Sequence, residues 1–174
     1  MFVALKRAFA LAAVVLLTAC ASGVTRMDTG TTVAAPVQRN VSAVNLKLSD
    51  GAKKLVADNL KFNQDTLKAT IERAMKAQNL IDPSSNQQLD VEITSFRVRS
   101  NFTAVMFGFM AGNDNVEGVV VIKNQAGEVV KKAKVNASYA LGGFGGGQDE
   151  ARMGWLYEEF AKHTVAEVTG VPVK

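Results

Sequence analysis

Apolar and polar positions along the chain change period in a regular order. Val44, Leu46 and Leu48 alternate with Asn45 and Lys47, which predicts a half-buried strand ending at the Ser49-Asp50-Gly51 turn. Residues 52–61 fit a short helix or a loop equally well. From Asp65 to Asn79 the period lengthens: Leu67, Ile71, Ala74 and Met75 recur at helical spacing, with Lys68, Glu72, Arg73 and Lys76 largely on the wet side. The stretch Asn79 to Pro83 ends that helix. Leu89, Val91 and Ile93 then alternate with Asp90, Glu92 and Thr94 in a second strand running towards Arg99. Val116 to Lys123 is apolar on nearly both faces, the pattern of a central strand. Asn124-Gln125-Ala126-Gly127 reads as a hairpin turn with Gly127 suited to a left-handed position. In the fourth strand, Glu128 to Tyr139, Ala133, Val135, Ala137 and Tyr139 share one face, and Lys132, Lys134, Asn136 and Ser138 the other. A last helix, about Asp149 to Thr169, lines up Met153, Leu156, Phe160 and Thr164.

The order β-α-β-β-β-α predicts an α+β fold in two layers. One mostly antiparallel sheet of about four strands would carry both helices on one face, burying all the stripes together. No sustained repeat runs through the chain, which sets aside solenoids and propellers.

The N-terminus follows a different pattern. Lys6 and Arg7 precede an apolar run from Ala8 to Leu17. That run is about half of the roughly 20 residues a helix needs to cross a bilayer, so it reads as an export signal. Leu17-Thr18-Ala19-Cys20 resembles the lipobox of bacterial lipoproteins, with Leu17 at −3, Ala19 at −1 and the chain's one Cys at +1. The resemblance implies cleavage between Ala19 and Cys20, and diacylglycerol and an N-acyl chain such as palmitate on Cys20. Two or more acyl chains hold a protein at a membrane almost permanently. Ala21 and Ser22, standing where Asp would mark inner-membrane retention in that class, imply the inner leaflet of the outer membrane, facing the periplasm. The expected organisation is a signal peptide at 1–19, a lipidated flexible tether at 20–40, rich in small residues and carrying Pro36, and one periplasmic α+β domain at 41–174. An ordered first strand packing Val33 and Val37 is the alternative for the tether.

Composition narrows the chemistry. The chain has 174 residues, one domain with appendages, and 48% hydrophobic against 21% charged residues rules out wholesale disorder. One Cys and one His exclude a disulfide framework and a multi-Cys/His zinc site, so no metal is expected. The formal charge of +4 suggests nucleic acid at first. Losing residues 1–19 removes Lys6 and Arg7, taking 20 basic residues to 18 against 16 acidic, and that suggestion fades.

Two segments resist the general pattern. Between the second and third strands, Phe102, Val105, Met106, Phe107, Phe109 and Met110 crowd into one short stretch. They fit a buried strand extension or a helical turn closing the core. The alternative is an exposed element contacting a partner or a lipid surface, because exposed apolar patches usually mark interaction sites. Between the fourth strand and the last helix, Gly142, Gly143, Gly145, Gly146 and Gly147 make a flexible loop. Gly142 and Gly147 have the spacing of a phosphate-binding loop, but Gln148 and Asp149 stand where Lys and Ser or Thr are required. Nucleotide binding is not expected; Asp149 reads instead as a cap of the last helix.

Leu89-Asp-Val-Glu-Ile-Thr-Ser-Phe96, the stretch ending Gly108-Phe-Met-Ala-Gly112, the Val116–Ile122 strand and the Gly142–Gly147 loop followed by Trp155 to Ala166 together resemble a family of small lipoproteins of proteobacterial envelopes. The likeness spans roughly residues 40–169 and concerns a domain of unknown function, so it implies no catalytic residues.

His163, the one imidazole, has no Ser or Asp nearby in a recognisable triad. The expectation is a non-enzymatic, membrane-anchored envelope lipoprotein, with no cofactor beyond its lipid. It would serve as a structural or interaction module for another envelope protein. The alternative is a carrier or sensor of amphiphiles using residues 102–110. Lys131, Lys132 and Lys134 fit either a basic face for anionic groups or a charged strand that discourages edge pairing.

Overall fold

The computed structural model of the chain describes residues 22–27, 40–107, 112–140 and 149–171. The elements are β1 (Gly23–Arg26), β2 (Val44–Leu48), α1 (Asp50–Leu55), α2 (Gln64–Ala77), β3 (Gln87–Arg97), α3 (Asn101–Phe107), β4 (Asp114–Asn124), β5 (Val129–Tyr139) and α4 (Asp149–Thr169). They form the expected α+β architecture around one five-stranded sheet in the order β1-β5-β4-β3-β2.

Two features of the sheet refine the expectation of about four mostly antiparallel strands. The strand count is five, because Gly23–Arg26, inside the segment read as tether, pairs antiparallel with β5 (Val24 opposite Val135). A strand does arise there, but ahead of Val33 and Val37, which lie outside the described residues together with 28–39. The sheet is also mixed, since β2 runs parallel to β3 while the other pairs are antiparallel. A parallel pair needs a long crossover, and α1 and α2 supply it.

Both short helices after β2 start on side-chain caps. Ser49 accepts from the Ala52 amide at 3.1 Å, and Asn63 from the Thr66 amide at 2.8 Å. Asn79, with φ of 56°, turns the chain out of α2 in the left-handed region that Asn tolerates. Gly127, φ 81°, closes the β4–β5 hairpin as its sequence predicts.

The core lies between one face of the sheet and helices α2 and α4. Leu89, Val91, Ile93 and Phe96 of β3, Val116, Val120 and Ile122 of β4, and Ala133, Val135 and Ala137 of β5 are all buried there. They meet Leu67, Ile71 and Met75 of α2 and Met153, Leu156 and Phe160 of α4. β4 is the middle strand, as its two apolar faces suggested. Gly118 lets α4 come close: a Cβ there would lie 2.9 Å from Phe160 Cζ and 3.0 Å from the Glu92 carbonyl oxygen.

The opposite face of the sheet is laced with cross-strand pairs: Lys47–Glu92 at 3.1 Å, Lys123–Asp90 at 2.6 Å and Lys134–Glu117 at 2.9 Å. Burial pushes the Asp90 carboxyl up, but hydrogen bonds from Lys123 and Asn45 outweigh it and hold it below the usual carboxylate value. The three lysines of β5 do not make one basic face. Lys131 donates to the Glu167 backbone carbonyl of α4, while Lys134 pairs with Glu117. Nor is β5 an edge strand, since β1 covers it.

Candidate functional site

Both segments that broke the sequence pattern leave the sheet at the same end. β3 finishes there, α3 follows, β4 starts and β5 stops there, and α4 begins there. A buried ionic cluster ties β4, β5, α4 and the connection between β3 and α3 together. Asp114, at the start of β4 and fully buried, accepts from the Arg99 backbone amide at 2.6 Å and from Arg99 Nε at 3.1 Å. Arg152 Nε of α4 lies 2.9 Å from Asp114 Oδ2. The other end of the Arg152 guanidinium donates to Asp149 Oδ1 at 2.6 Å and to the Arg99 carbonyl at 2.8 Å. Arg99 also reaches the Tyr139 carbonyl at 3.4 Å, at the close of β5. Two cations and two carboxylates are therefore balanced in the interior, and the guanidiniums, which keep their charge in proteins, bridge several acceptors at once.

This cluster was missed in the sequence, although a signal exists. Asp114 is in phase with Val116 and Val120 on the core face of β4, and Arg152 is one helical turn before Leu156 on the core stripe of α4. A charge in phase with the core is a partner waiting to be found. Asp149 does sit at the helix start as expected, but buried against Arg152.

α3 follows this cluster two residues after Arg99. Ser100 starts it, its hydroxyl accepting from the Thr103 amide at 3.1 Å. Phe102, Met106 and Phe107 are 69%, 63% and 56% exposed, so these three side chains are displayed and are not part of the core. Val105 lies within the same helix. Phe109 and Met110 are outside the described residues, as are Ala19, Cys20 and Gly142, Gly143, Gly145, Gly146 and Gly147. The described residues on either side of that glycine segment, Tyr139 and Asp149, both join the cluster.

A further apolar side chain, not anticipated from the sequence, stands at this end. Leu60 is 85% exposed. Its neighbours hold it in place: Asn59 Oδ1 accepts from the Val98 amide at 2.9 Å, and Phe62 stacks on Phe96 with ring centroids 3.9 Å apart. Tyr157 meets Phe62 edge-on, and its hydroxyl accepts from the Asn63 amide at 2.7 Å. That hydroxyl is pushed above the usual tyrosine value by burial, against the Asn63 hydrogen bond. The turn that carries Leu60 is thus built into the core.

Two surface clefts, lined by Ser42, Asn86 and Lys123 at the other end of the sheet and by Trp155, Glu158 and Lys162 beside α2, do not include the α3 side chains. His163 is buried on α4 with Nε2 3.3 Å from Glu159 Oε1. Burial lowers its pKa below 6.5, partly opposed by Glu159. No group of three or more metal-ligating side chains occurs among the described residues, and no described helix is long and apolar enough to cross a membrane.

Comparison with known proteins adds the family. Residues 24–143 match the family described as Domain of unknown function (DUF4410), well over half of the chain. The chain belongs to the DUF4410 family. The matched stretch begins inside β1, which makes that strand part of the DUF4410 domain. Two solved structures share its fold: a variant PelC dodecamer from Paraburkholderia phytofirmans, 10% identical with TM-score 0.51, covering 86% of this chain and 99% of that one, and a second PelC dodecamer from the same organism, 10% identical with TM-score 0.50, covering 85% and 97%. A minor lipoprotein from Acinetobacter baumannii is 8% identical with TM-score 0.44, covering 78% of this chain and 94% of its own. No curated protein matches the sequence significantly.

Proposed function

We propose that this DUF4410 protein is a non-enzymatic lipoprotein of the cell envelope, held by lipid on Cys20 at the inner leaflet of the outer membrane. It works there as an interaction module for another envelope component. The observation that carries this reading is the display of Phe102, Met106 and Phe107 on a helix whose base is locked by the Arg99–Asp114–Arg152 cluster. Exposed apolar groups gathered on one short element next to such a cluster offer a docking surface. The Leu17-Thr18-Ala19-Cys20 motif supports the anchor. His163 is buried beside Glu159 and held towards its neutral form, a poor position for an accessible base.

Crosslinking in intact cells, with a Cys20→Ala chain as the unanchored control, tests the proposal. The expected result is a discrete crosslinked species lost in the control. Because the PelC structures of like fold are dodecamers, a second copy of this chain is one candidate partner, recognisable as a ladder of homo-oligomers. A chain that stays monomeric in every condition contradicts the module reading.

A further inference from the structure

Strand β1 runs antiparallel to β5, so its first residue lies at the end of the sheet where β5 stops. Ser22 is fastened there: its hydroxyl accepts from the Ser138 amide at 2.8 Å and donates to the Ser138 carbonyl at 3.3 Å. Ser138 is in turn hydrogen-bonded through its hydroxyl by Asn113 at 3.0 Å, just before β4. Cys20 is two residues from Ser22, and an extended chain advances at most about 3.6 Å per residue. Its backbone therefore stays within roughly 7 Å of that fixed point. A 20-residue coil would have allowed on the order of 25 Å.

The same end carries α3 and Leu60. Of the described large apolar side chains that are more than half exposed, Leu60, Phe102, Met106 and Phe107 are all at this end, and Val171 alone is elsewhere, beyond the far end of α4. With 21 residues, α4 separates Val171 from this end by about 30 Å.

We infer that the anchor residue and α3 form one membrane-facing end, and that Phe102, Met106, Phe107 and Leu60 dip into the leaflet that holds the lipid of Cys20. The inference rests on the lipid-anchor reading of Cys20 and on the docking role of α3, and deepens both by naming the bilayer surface as the envelope component that α3 meets. Two acyl chains fix position but not orientation. Apolar side chains on a rigid base add the orientation, because an interfacial apolar face settles about 5–10 Å into the headgroup and acyl boundary. The sheet then stands on the membrane, and the α2 face, the open sheet face and the far cleft face the periplasm.

The test uses the full chain, produced in a host that acylates lipoboxes and reconstituted in phosphatidylethanolamine–phosphatidylglycerol vesicles. In a Trp155→Phe background, Phe107→Trp and Val171→Trp report the two ends by quenching with acyl-chain brominated lipid. Emission from Phe107→Trp is expected to fall about twofold or more, as for an interfacial side chain, and that from Val171→Trp to stay unchanged. Equal quenching at both ends, or solvent-like unquenched emission from Phe107→Trp on vesicle-bound acylated protein, overturns the inference and assigns α3 to a protein partner. Intact mass separates the two failures: a chain without acyl mass on Cys20 overturns the anchor reading and this inference with it. Acylated protein without Phe107→Trp quenching overturns this inference alone.

Discussion

Asp114→Ala removes the one carboxylate that Arg99 and Arg152 share. Arg99 is 3% exposed, Arg152 1% and Asp114 0%, so neither guanidinium has water to fall back on. Arg152 keeps Asp149 at 2.6 Å, but Arg99 loses the carboxylate that meets both its side chain and its backbone amide. Breaking a buried ion pair from one side costs about 3–5 kcal/mol, because it leaves an uncompensated charge in the interior. For a domain of this size that converts to a fall in melting temperature of roughly 10–20 °C. Thermal unfolding followed by circular dichroism at neutral pH reads it directly. A companion triple variant, Arg99→Met with Asp114→Leu and Arg152→Met, leaves Asp149, 8% exposed, as the one charge of the cluster without its partner, and is expected to melt above the single variant. A fall of less than about 3 °C in Asp114→Ala, or a triple variant melting below it, contradicts the view that this cluster braces the end of the sheet.

Three further outcomes are expected. Gly118→Val drives a side chain into Phe160 and the Glu92 carbonyl and should destabilise by about 1–3 kcal/mol in denaturant unfolding; an unchanged midpoint would mean α4 is not seated on β4 as described. The folded-state pKa of His163 lies below 6.5, so between the two values the unfolded chain binds more protons. Its contribution to stability is complete above about pH 6.5 and declines as pH falls below it; His163→Gln should remove that part of the slope in melts across pH 5–7, with Glu159 and Lys162 still present. Phe102→Asp with Phe107→Asp alters two exposed side chains and should shift stability by no more than about 0.5 kcal/mol each, while the vesicle flotation retained by a Cys20→Ala chain is lost. Unfolding of the double variant would return α3 to the core.

Much of the fold was legible because its signals are local. The alternation of Val44 to Leu48, the helical spacing of Leu67 to Met75, the two apolar faces of β4 and the start and stop of α4 each sit within one element. Strand β1 was not legible. Gly23 to Arg26 has little apolar alternation of its own and is held by pairing with a strand over a hundred residues later, through Ser22 and Ser138. The parallel setting of β2 beside β3 is likewise a matter of topology, which no short period encodes. The apolar stretch around Phe102 announced itself, but two readings fitted it. Phe102, Met106 and Phe107 are exposed, and exposure depends on whether anything packs above the helix, which no local pattern encodes. The buried charges were visible only as Asp114 and Arg152 falling in phase with apolar neighbours, a pattern that names no partner until the chain is folded.

The membrane role turns on Cys20, and the N-terminal peptide of the protein extracted from membranes tests it most directly. Mass spectrometry of that peptide is predicted to find a chain beginning at Cys20 and carrying diacylglycerol with an added acyl group. A chain beginning at Ala21 or retaining Met1, with no lipid on Cys20, would contradict it.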